Sequence, residues 1–411
     1  VMDSRLRPPG LSQFKNLNKT NFILGKFDIE ILKDIDTVLV SPGISFNNKI
    51  LVKARELNKK IYTDIELFTK ETDSRLILIT GTNGKTSVSS MTEYLISEVY
   101  KQETVICGGN IGRPILDTIT ARKTISIVEV SSFHLEHSDF LKSDIAVLLN
   151  IGQDHLDRHK SLKEYRRIKQ KILKRTRIGL VGQKDIKKDF MDYSNIYNFD
   201  NLLDPFHKEI SSLTDKDWPF HDLKNIKAVI GILMAMEEIK GNINLINSKE
   251  NKTSLVKKGL NNLKSFKRLP HRYEILGTKR GVVFINDSKS TNINSMEVAL
   301  ESIQKKFGKR KTLLICGGES KNQDFSKISK NSFNSIKHVL VLGKDREVIK
   351  NAVEGKVKVS LVDDLNGALV LANSLSNKGD VVLLSPACSS IDMYQDYQER
   401  GEKFKQLAGF E

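Results

Sequence analysis

Short apolar runs alternate with longer amphipathic stretches along most of this chain. The apolar runs predict buried β-strands, and they lie at 38–44, 60–62, 76–79, 125–130, 145–149, 282–285, 312–315, 339–342 and 381–384. Stretches such as 50–57 and 221–235 place their apolar residues at helical spacing and predict helices. Strands and helices in this order are typical of layered α/β domains, so the predicted fold class is α/β.

The length of the chain indicates more than one domain. At 411 residues it exceeds what one hydrophobic core usually supports, and two or three domains are expected. The pattern divides into three predicted domains at 1–68, 69–268 and 269–411. The first alternates strand and helix signals in a Rossmann-like manner, the second begins with a candidate phosphate loop, and the third has the pattern of a doubly wound domain.

The stretch 76–87 carries the clearest chemical signal. Four apolar residues are followed by a glycine-bounded loop, Gly81 to Gly84, and then by Lys85, Thr86 and a helical pattern. Glycines let backbone amides turn toward phosphate oxygens, and the helix N-terminus adds a positive field. Lys85 is placed to reach terminal phosphates and Thr86 to hold Mg²⁺. The glycine spacing is shorter than in the usual P-loop, and a plain strand-to-helix turn is the alternative. The flanking strand and helix favour ATP binding.

Three successive strand ends carry groups suited to a metal–phosphate site. Lys85 and Thr86 follow the first strand, Glu129 ends the second, and Asp154 and His155 follow the third. The carboxyl ends of parallel strands meet at one edge of a sheet, where open α/β sheets bind their ligands. Carboxylate, hydroxyl and imidazole groups beside a triphosphate predict a Mg²⁺ site. Taken singly, Glu129 could be a surface carboxylate that caps a turn, and His155 a packed core histidine.

Polar clusters also follow three predicted strands of the third domain. They lie at 286–291, 317–324 and 385–392, and they combine lysines and hydroxyl groups with carboxylates. Loops at strand ends carry binding residues more often than loops elsewhere in such folds. These clusters therefore predict a second binding face, in the third domain.

Composition and charge narrow the function classes. Hydrophobic residues make up 39% and charged residues 28% of the chain, as in ordinary globular proteins. The net charge of +16 comes from lysines spread along the sequence, which indicates a solvated basic surface rather than a nucleic-acid site. No apolar run approaches the length of a membrane span, and no signal peptide is apparent. Three scattered cysteines indicate a reducing compartment, and the cytoplasm is the expected location.

The beginning of the chain, Val1-Met2-Asp3, has the pattern of a strand end inside a nucleotide-binding sheet. A first strand and its glycine turn normally precede such an end. We therefore expect the first domain to lack one N-terminal strand and helix. If so, affinity for a uridine nucleotide would be weak and the first sheet would have an unpaired edge.

Together these stretches resemble the Mur ligases, ATP-dependent enzymes that add amino acids to peptidoglycan precursors, and within them the branch that adds D-glutamate. The matching motifs lie at 1–5, 8–10, 41–44, 64–67, 81–86, 108–112, 129–133, 154–157, 270–272, 286–289 and 384–388. The Glu-Val-Ser-Ser-Phe run at 129–133 and Thr291 after 286–289 favour this branch. The Asn-Pro-Arg element of the branch that adds a diamino acid is absent from the sequence.

The resemblance implies a set of ATP and metal contacts. Nucleotide-binding residues would be Gly81, Thr82, Asn83, Gly84, Lys85, Thr86, Ser87, Asn225, Arg272 and Asp287. Catalytic residues would be Lys85, Glu129, His155 and Lys169. Two Mg²⁺ ions would be held by Thr86, Glu129, His155 and Lys169. Lys169 would be carbamylated, which turns a repelling ammonium into an anionic oxygen ligand.

The resemblance also implies the substrates, UDP-N-acetylmuramoyl-L-alanine and D-glutamate, and an acyl-phosphate intermediate. The UDP-linked substrate would contact Asp3, Ser4, Arg5, Gly43, Asn110 and Ser131. D-Glutamate, with two carboxylates, would contact Lys289, Thr291, Lys321, Ser390 and Tyr397. A monomer is expected, with no nucleic-acid partner and no membrane span.

Two residues depart from the family pattern, and other functions remain open. His134 stands where glutamine is expected, and Asp222 where asparagine is expected. One alternative is another ligase of this superfamily, with a different amino acid or a folate substrate. A second is a P-loop ATPase or kinase that forms no amide bond. A third is a basic nucleic-acid-binding ATPase, which steeply salt-dependent binding would reveal.

Overall fold

The structure is a computed structural model that describes residues 1–14, 20–110, 112–119, 123–139, 141–214, 218, 222–246, 249–321 and 323–410. Within these ranges the chain forms α/β units, as the sequence predicts. Each predicted apolar run overlaps a strand. No helix in the described ranges combines the length and apolarity needed to cross a membrane.

The N-terminal unit is small. Two pairs of short parallel strands lie here, with helices on a compact apolar core that includes Leu32 and Leu51. The strands and helices are β1 (Met2–Asp3), β2 (Ile23–Leu24), β3 (Thr37–Leu39), β4 (Lys60–Tyr62), α1 (Lys49–Glu56) and α2 (Asp64–Glu71). Strand β3 is shorter than the predicted 38–44, because Pro42 has no amide hydrogen for a ladder bond and Gly43 follows it in a turn.

The central unit contains a parallel sheet of six described strands. They are β5 (Arg75–Thr80), β6 (Val105–Gly109), β7 (Ile125–Glu129), β8 (Ser143–Leu148), β9 (Thr176–Val181) and β10 (Ile196–Asn198). Their order is β10-β9-β8-β5-β7-β6, so β5 lies between β7 and β8. This order brings together the three strand ends that the sequence singles out. Apolar side chains cover both faces of the sheet, as parallel sheets require.

Helices flank this sheet on both faces. They are α3 (Lys85–Val99), α4 (Ser132–His137), α5 (Leu156–His159), α6 (Leu162–Gln170), α7 (Lys184–Lys188), α8 (Phe199–Leu203), α9 (His207–Thr214), α10 (Asp222–Ile239) and α11 (Lys249–Leu263). Helix α10 is buried over most of its length and packs against α3, which confirms the buried helix predicted there. The buried position of α10 determines the side from which this helix approaches the phosphate loop.

The C-terminal unit has a second sheet of six described strands. They are β11 (Glu274–Lys279), β12 (Val282–Asn286), β13 (Thr312–Gly317), β14 (Ile336–Leu342), β15 (Val359–Leu361) and β16 (Val381–Leu384). The order is β11-β12-β16-β13-β14-β15, parallel except for β11 against β12. The helices are α12 (Ile293–Phe307), α13 (Lys330–Phe333), α14 (Arg346–Val353), α15 (Leu365–Leu375) and α16 (Tyr397–Leu407). Edge strands β11 and β15 escaped prediction because they are only partly buried and lack a continuous apolar run.

Candidate active site

The loop between β5 and α3 has the geometry of a phosphate cradle. Gly84 adopts a left-handed conformation, φ +86°, at the N-cap of α3. A Cβ there would lie 2.7 Å from Asn225 Oδ1, so both the turn and the close approach of α10 require glycine. Asn150 braces the loop from beside β8: its Oδ1 accepts from Asn83 N and its Nδ2 donates to Asn83 O, both at 2.9 Å. The predicted strand, loop and helix are therefore present in a rigid form.

Two lysines meet at this loop. Lys85 Nζ donates to the carbonyls of Gly81 and Thr82, both at 2.9 Å. Lys169, whose side chain is buried in α6, donates to the same Gly81 carbonyl at 2.8 Å and lies 3.3 Å from Thr80 Oγ1. Burial lowers the pKa of Lys85, and burial followed by the charge of Lys85 holds the pKa of Lys169 well below its usual range. The other charged side chains of α6 lie on a mostly solvated face.

Glu129 presents an unsatisfied oxygen beside the phosphate loop. It ends β7, pairs in register with Ile79 of β5, and is 1% exposed. Its Oε1 accepts from Asn110 Nδ2 at 2.8 Å, while its buried Oε2 has no hydrogen-bond partner in the described chain. A buried carboxylate oxygen without a partner is costly, and a cation offsets that cost. This oxygen is what a Mg²⁺ site at the strand ends calls for.

The other proposed metal residues lie on neighbouring elements. Thr86 is in the first turn of α3. His155 has a left-handed backbone, φ +52°; its Nε2 lies 3.6 Å from Asp154 Oδ2, and its ring lies 4.8 Å from that of Phe133. The described residues contain no group of three or more His, Cys, Asp or Glu side chains that could hold a metal alone. The metal ligands expected from the sequence instead combine a hydroxyl, a carboxylate, an imidazole and a modified lysine with phosphate oxygens of the substrate.

The unexpected Asp222 has a structural reason. Its carboxylate, 2% exposed, forms an ion pair with Arg268 at 2.8 Å and accepts from Asn225 Nδ2 at 2.9 Å. Aspartate thus supplies the charge that pairs with Arg268, and it orients the asparagine that contacts Gly84. Asp222 therefore braces Asn225, the residue for which the family resemblance implies a nucleotide contact.

The C-terminal unit places charged groups opposite the central loop. Asp287 accepts from Tyr273 N at 3.0 Å and from Ser385 Oγ at 2.9 Å, and burial raises its pKa to about 7. Burial lowers the pKa of Arg272. Asn292 Nδ2 and Ser295 Oγ both reach Asn83 Oδ1, at 3.2 and 3.0 Å. The carboxyl ends of the two sheets therefore face each other across one cleft.

The residues predicted for D-glutamate are only partly gathered. Lys289 Nζ lies 3.9 Å from the ring centroid of Tyr397, and burial followed by the charge of Arg272 lowers its pKa to about 8. Ser390 is buried in the loop after β16. Thr291 is half-buried, with its carbonyl accepting from Gln323 Nε2. Lys321 is an exposed, left-handed residue of the loop after β13, with no described contact to Lys289.

The residues predicted for the UDP-linked substrate occupy two places. Asp3 accepts from Arg5 Nη2 at 2.7 Å, and this hydrogen bond lowers the pKa of Asp3 to about 2. In the described part of the chain, neither these two residues nor the exposed Ser4 contacts the phosphate loop. Gly43 instead lies at the central unit, where its carbonyl accepts from Arg158 Nη1 at 3.0 Å.

His134 replaces the expected glutamine as part of a helix cap. Ser131, the N-cap of α4, accepts from His134 N at 3.3 Å, and the Nδ1 of the same ring lies 2.6 Å from Ser131 Oγ. His134 Nε2 lies 3.6 Å from Asp64 Oδ1 in α2. Burial lowers the pKa of His134, so the imidazole acts as a neutral hydrogen-bonding group. It holds Ser131 at the start of α4 near Glu129.

Sequence reasoning missed two arginines that organise these loops. Arg158 binds the carbonyls of the turn containing Gly43. Arg400, 2% exposed, donates to the Ser288 carbonyl at 2.8 Å and to the Cys388 carbonyl at 3.2 Å, and so joins the loops after β12 and β16. A single arginine among many basic residues gives no local signal, because its partners are distant in sequence.

Comparisons with known proteins match this architecture. Three family models match: "Mur ligase MurD-like, N-terminal domain" over 1–63, "Mur ligase middle domain" over 79–195, and "Mur ligase, glutamate ligase domain" over 271–388. A solved MurF ligase from Thermotoga maritima in complex with ADP has a TM-score of 0.57 at 16% identity. That match covers 92% of this chain and 97% of the other. This likeness shows the shared fold.

Two curated relatives carry the name UDP-N-acetylmuramoylalanine–D-glutamate ligase. The protein from Buchnera aphidicola subsp. Acyrthosiphon pisum is 36% identical, with 94% of this chain and 87% of the relative covered. The protein from Coxiella burnetii is 31% identical, with 98% and 91% covered. With identities of 31% and 36% over nearly its whole length, the chain belongs to the Mur ligase family.

Proposed function

We propose that this chain is an ATP-dependent ligase that joins D-glutamate to UDP-N-acetylmuramoyl-L-alanine in peptidoglycan precursor synthesis. The observation that carries the proposal is the buried Glu129 oxygen without a hydrogen-bond partner beside the phosphate loop; the charge of this carboxylate also acts on Lys289 and Arg272 of the C-terminal unit. The names of the curated relatives supply the two substrates. Cytoplasmic location and a monomeric state stay predictions.

The residues present fit a magnesium-dependent site. Glu129 Oε2 is a free hard oxygen, Thr86 adds a hydroxyl, and His155 lies on the adjoining loop. These three would hold Mg²⁺ together with phosphate oxygens, and Lys169 would join them once carbamylated. When bound, Mg²⁺ offsets the negative charge of the triphosphate and of the attacking carboxylate.

The reaction follows from which groups face the cleft. The loop amides and Lys85 would bind the β- and γ-phosphates, with Lys85 released from its two carbonyls. The substrate carboxylate attacks the γ-phosphorus, which breaks the bond to the β–γ bridging oxygen and gives an acyl phosphate and ADP. The D-glutamate amine then attacks the acyl carbon and loses a proton, and inorganic phosphate departs with one former carboxylate oxygen.

The two units would also exclude water. The contacts of Asn292 and Ser295 with Asn83 bring the third unit to the phosphate loop. An acyl phosphate hydrolyses readily, so a closed cleft protects it and holds the amine in line. Lys289 and Tyr397 would bind D-glutamate carboxylates, with Thr291, Lys321 and Ser390 completing the site as the family resemblance implies.

Lys169 is expected to be carbamylated. Its depressed pKa raises the neutral fraction of the amine, and a neutral amine adds to CO₂ with loss of one proton. We expect ¹³C-bicarbonate to give one protein carbamate resonance that disappears in Lys169→Ala, with activity reduced about 100-fold by loss of one metal ligand. Lys171→Ala, a lysine two positions away that binds Asp139 at 2.9 Å, is the control. Full activity of Lys169→Ala without any resonance in the wild type would reject the carbamate.

The affinity for D-glutamate is expected to fall in alkali. Lys289, with a pKa of about 8, is cationic below pH 8 and loses its proton above it. The kcat/KM for D-glutamate, which reports on the free enzyme, should therefore be level below pH 8 and fall about tenfold per unit above it. Lys289→Arg keeps its charge at alkaline pH, so the fall in kcat/KM should begin at a higher pH in this variant. Titration of the substrate amine affects both proteins equally. If kcat/KM falls at the same pH in the variant as in the wild type, a group other than Lys289 causes the fall.

Phosphate release is the direct test of the proposed function. The assay contains ATP, Mg²⁺ and UDP-N-acetylmuramoyl-L-alanine, with or without an amino acid. We expect release that requires D-glutamate and that is not supported by L-glutamate or other amino acids. Release indifferent to the amino acid would identify an ATPase, and release with a different amino acid would identify another ligase of the superfamily.

A further inference from the structure

A guanidinium fastens the N-terminal unit to the central unit. Arg158 lies in α5, and its side chain is 16% exposed. It donates to three successive backbone carbonyls: Nη1 to Gly43 O at 3.0 Å, and Nη2 to Pro42 O at 3.3 Å and Ile44 O at 2.7 Å. A planar fork with several fixed donors suits such a group of acceptors, whereas a lysine offers a single nitrogen.

The same side chain is anchored to α4. Arg158 Nε and Nη2 donate to Glu136 Oε2, at 2.9 and 2.6 Å, and the Glu136 side chain is 13% exposed. The next residue, His137, places Nε2 2.8 Å from the Ile44 carbonyl that Arg158 also binds. The guanidinium carbon lies 5.0 Å from the Phe133 ring centroid. The turn 42–44 is therefore held by α4 and α5 together.

Both helices lead back to the reacting groups. Helix α4 is capped by Ser131, two residues after Glu129, and α5 begins directly after His155. The turn they hold contains Gly43, which the family resemblance assigns to the sugar–phosphate part of the substrate. One side chain thus fixes the distance between the nucleotide end of the substrate and the place where its carboxylate reacts. A misplacement of about 1 Å at the reacting atoms costs about 100-fold in rate.

Resting on the function proposed above, we propose that Arg158 is a positioning residue for the UDP-linked substrate. It holds the turn 42–44 against the catalytic loops, so that binding of the UDP end aligns the distant carboxylate with the γ-phosphate. Binding energy from a remote part of the substrate is then used at the reacting centre. Arg158 itself contacts neither ATP nor the reacting carboxylate in this account.

The test compares two substrates that differ only at the nucleotide end. Arg158→Ala and Arg158→Lys are assayed with UDP-N-acetylmuramoyl-L-alanine and with N-acetylmuramoyl-L-alanine, which lacks UDP. We expect Arg158→Ala to lower kcat/KM for the UDP-linked substrate about 30-fold or more, and that for the truncated substrate less than about threefold. The KM for ATP should stay within about twofold, and Arg158→Lys should fall between the alanine variant and the wild type.

A matched control and a binding measurement separate this role from a purely structural one. Arg166→Ala removes an arginine of the same unit that binds Asp185 and Asp189 and has no described contact with the turn 42–44. This variant should leave kcat/KM unchanged for both substrates. Equal losses with both substrates would overturn the proposal, and so would an unchanged kcat/KM for the UDP-linked substrate.

Calorimetry measures binding of the UDP-linked substrate without ATP, so this measurement needs no turnover. If the wild type binds this substrate but makes no amide, the ligase function fails. Weaker binding by Arg158→Ala would then still support the positioning role, and unchanged binding would overturn it.

Discussion

Lys85→Ala is expected to lower D-glutamate-dependent phosphate release about 10³-fold. Lys85 is the cation at the phosphate loop, and loss of a single preorganised donor at developing charge costs about 10²–10³ in kcat. The neighbouring Lys169 cannot replace it, because that amine is held by Thr80 and Gly81 and its pKa is depressed. Steady-state kinetics with saturating ATP measures this loss.

The fold should survive this substitution. Two hydrogen bonds to loop carbonyls are lost, but so is the cost of desolvating a half-buried ammonium, and the two effects offset within about 1 kcal/mol. Thermal unfolding should therefore be close to that of the wild type. Lys240→Ala is the matched control, since Lys240 also belongs to the central unit but pairs with Glu103, away from the loop. Wild-type activity in Lys85→Ala would count against the entire assignment of this site.

Glu129→Gln is expected to reduce turnover by a similar factor and to raise the Mg²⁺ concentration needed for half-maximal activity at least about tenfold. Glutamine keeps the acceptor for Asn110 but removes the charge on the unpartnered oxygen. A hard dication loses an anionic ligand, so its binding weakens. Activity as a function of Mg²⁺ concentration measures both effects.

The stability of this variant should change little. Neutralising the buried Glu129 carboxylate removes the desolvation cost of its unpartnered oxygen and also its attraction for Lys85 and Lys289, so the melting temperature should stay close to that of the wild type. Glu93→Gln, at a partly buried carboxylate of α3, should alter neither Mg²⁺ dependence nor turnover. A Glu129→Gln enzyme with the wild-type Mg²⁺ dependence would remove Glu129 from the metal site.

Local patterns were sufficient for much of the fold. The run at 76–79 and the glycines of the phosphate loop dictate a strand, a turn and a helix within a short stretch. The apolar runs that end in Glu129 and before Asp154 mark strands buried on both faces. The order of the strands was not predicted; in the structure β5 lies between β7 and β8, which places these three strand ends side by side.

Long-range partners could not be predicted in the same way. The choice of aspartate at 222 depends on Arg268, and the position of Gly43 depends on Arg158; neither pair has a sequence signature. The meeting of the two sheets at Asn83 likewise depends on how separate units pack. The edge strands β11 and β15 have no continuous apolar run, because their side chains are only partly buried.

The fate of one oxygen atom tests the central claim most directly. UDP-N-acetylmuramoyl-L-alanine labelled with ¹⁸O in its alanine carboxylate is turned over with ATP, Mg²⁺ and D-glutamate, and the released phosphate is analysed by mass spectrometry. Attack of the carboxylate on the γ-phosphorus transfers one labelled oxygen to each phosphate, and this is the predicted result. Unlabelled phosphate would show that water, not the substrate carboxylate, attacks ATP, and would contradict the ligase mechanism.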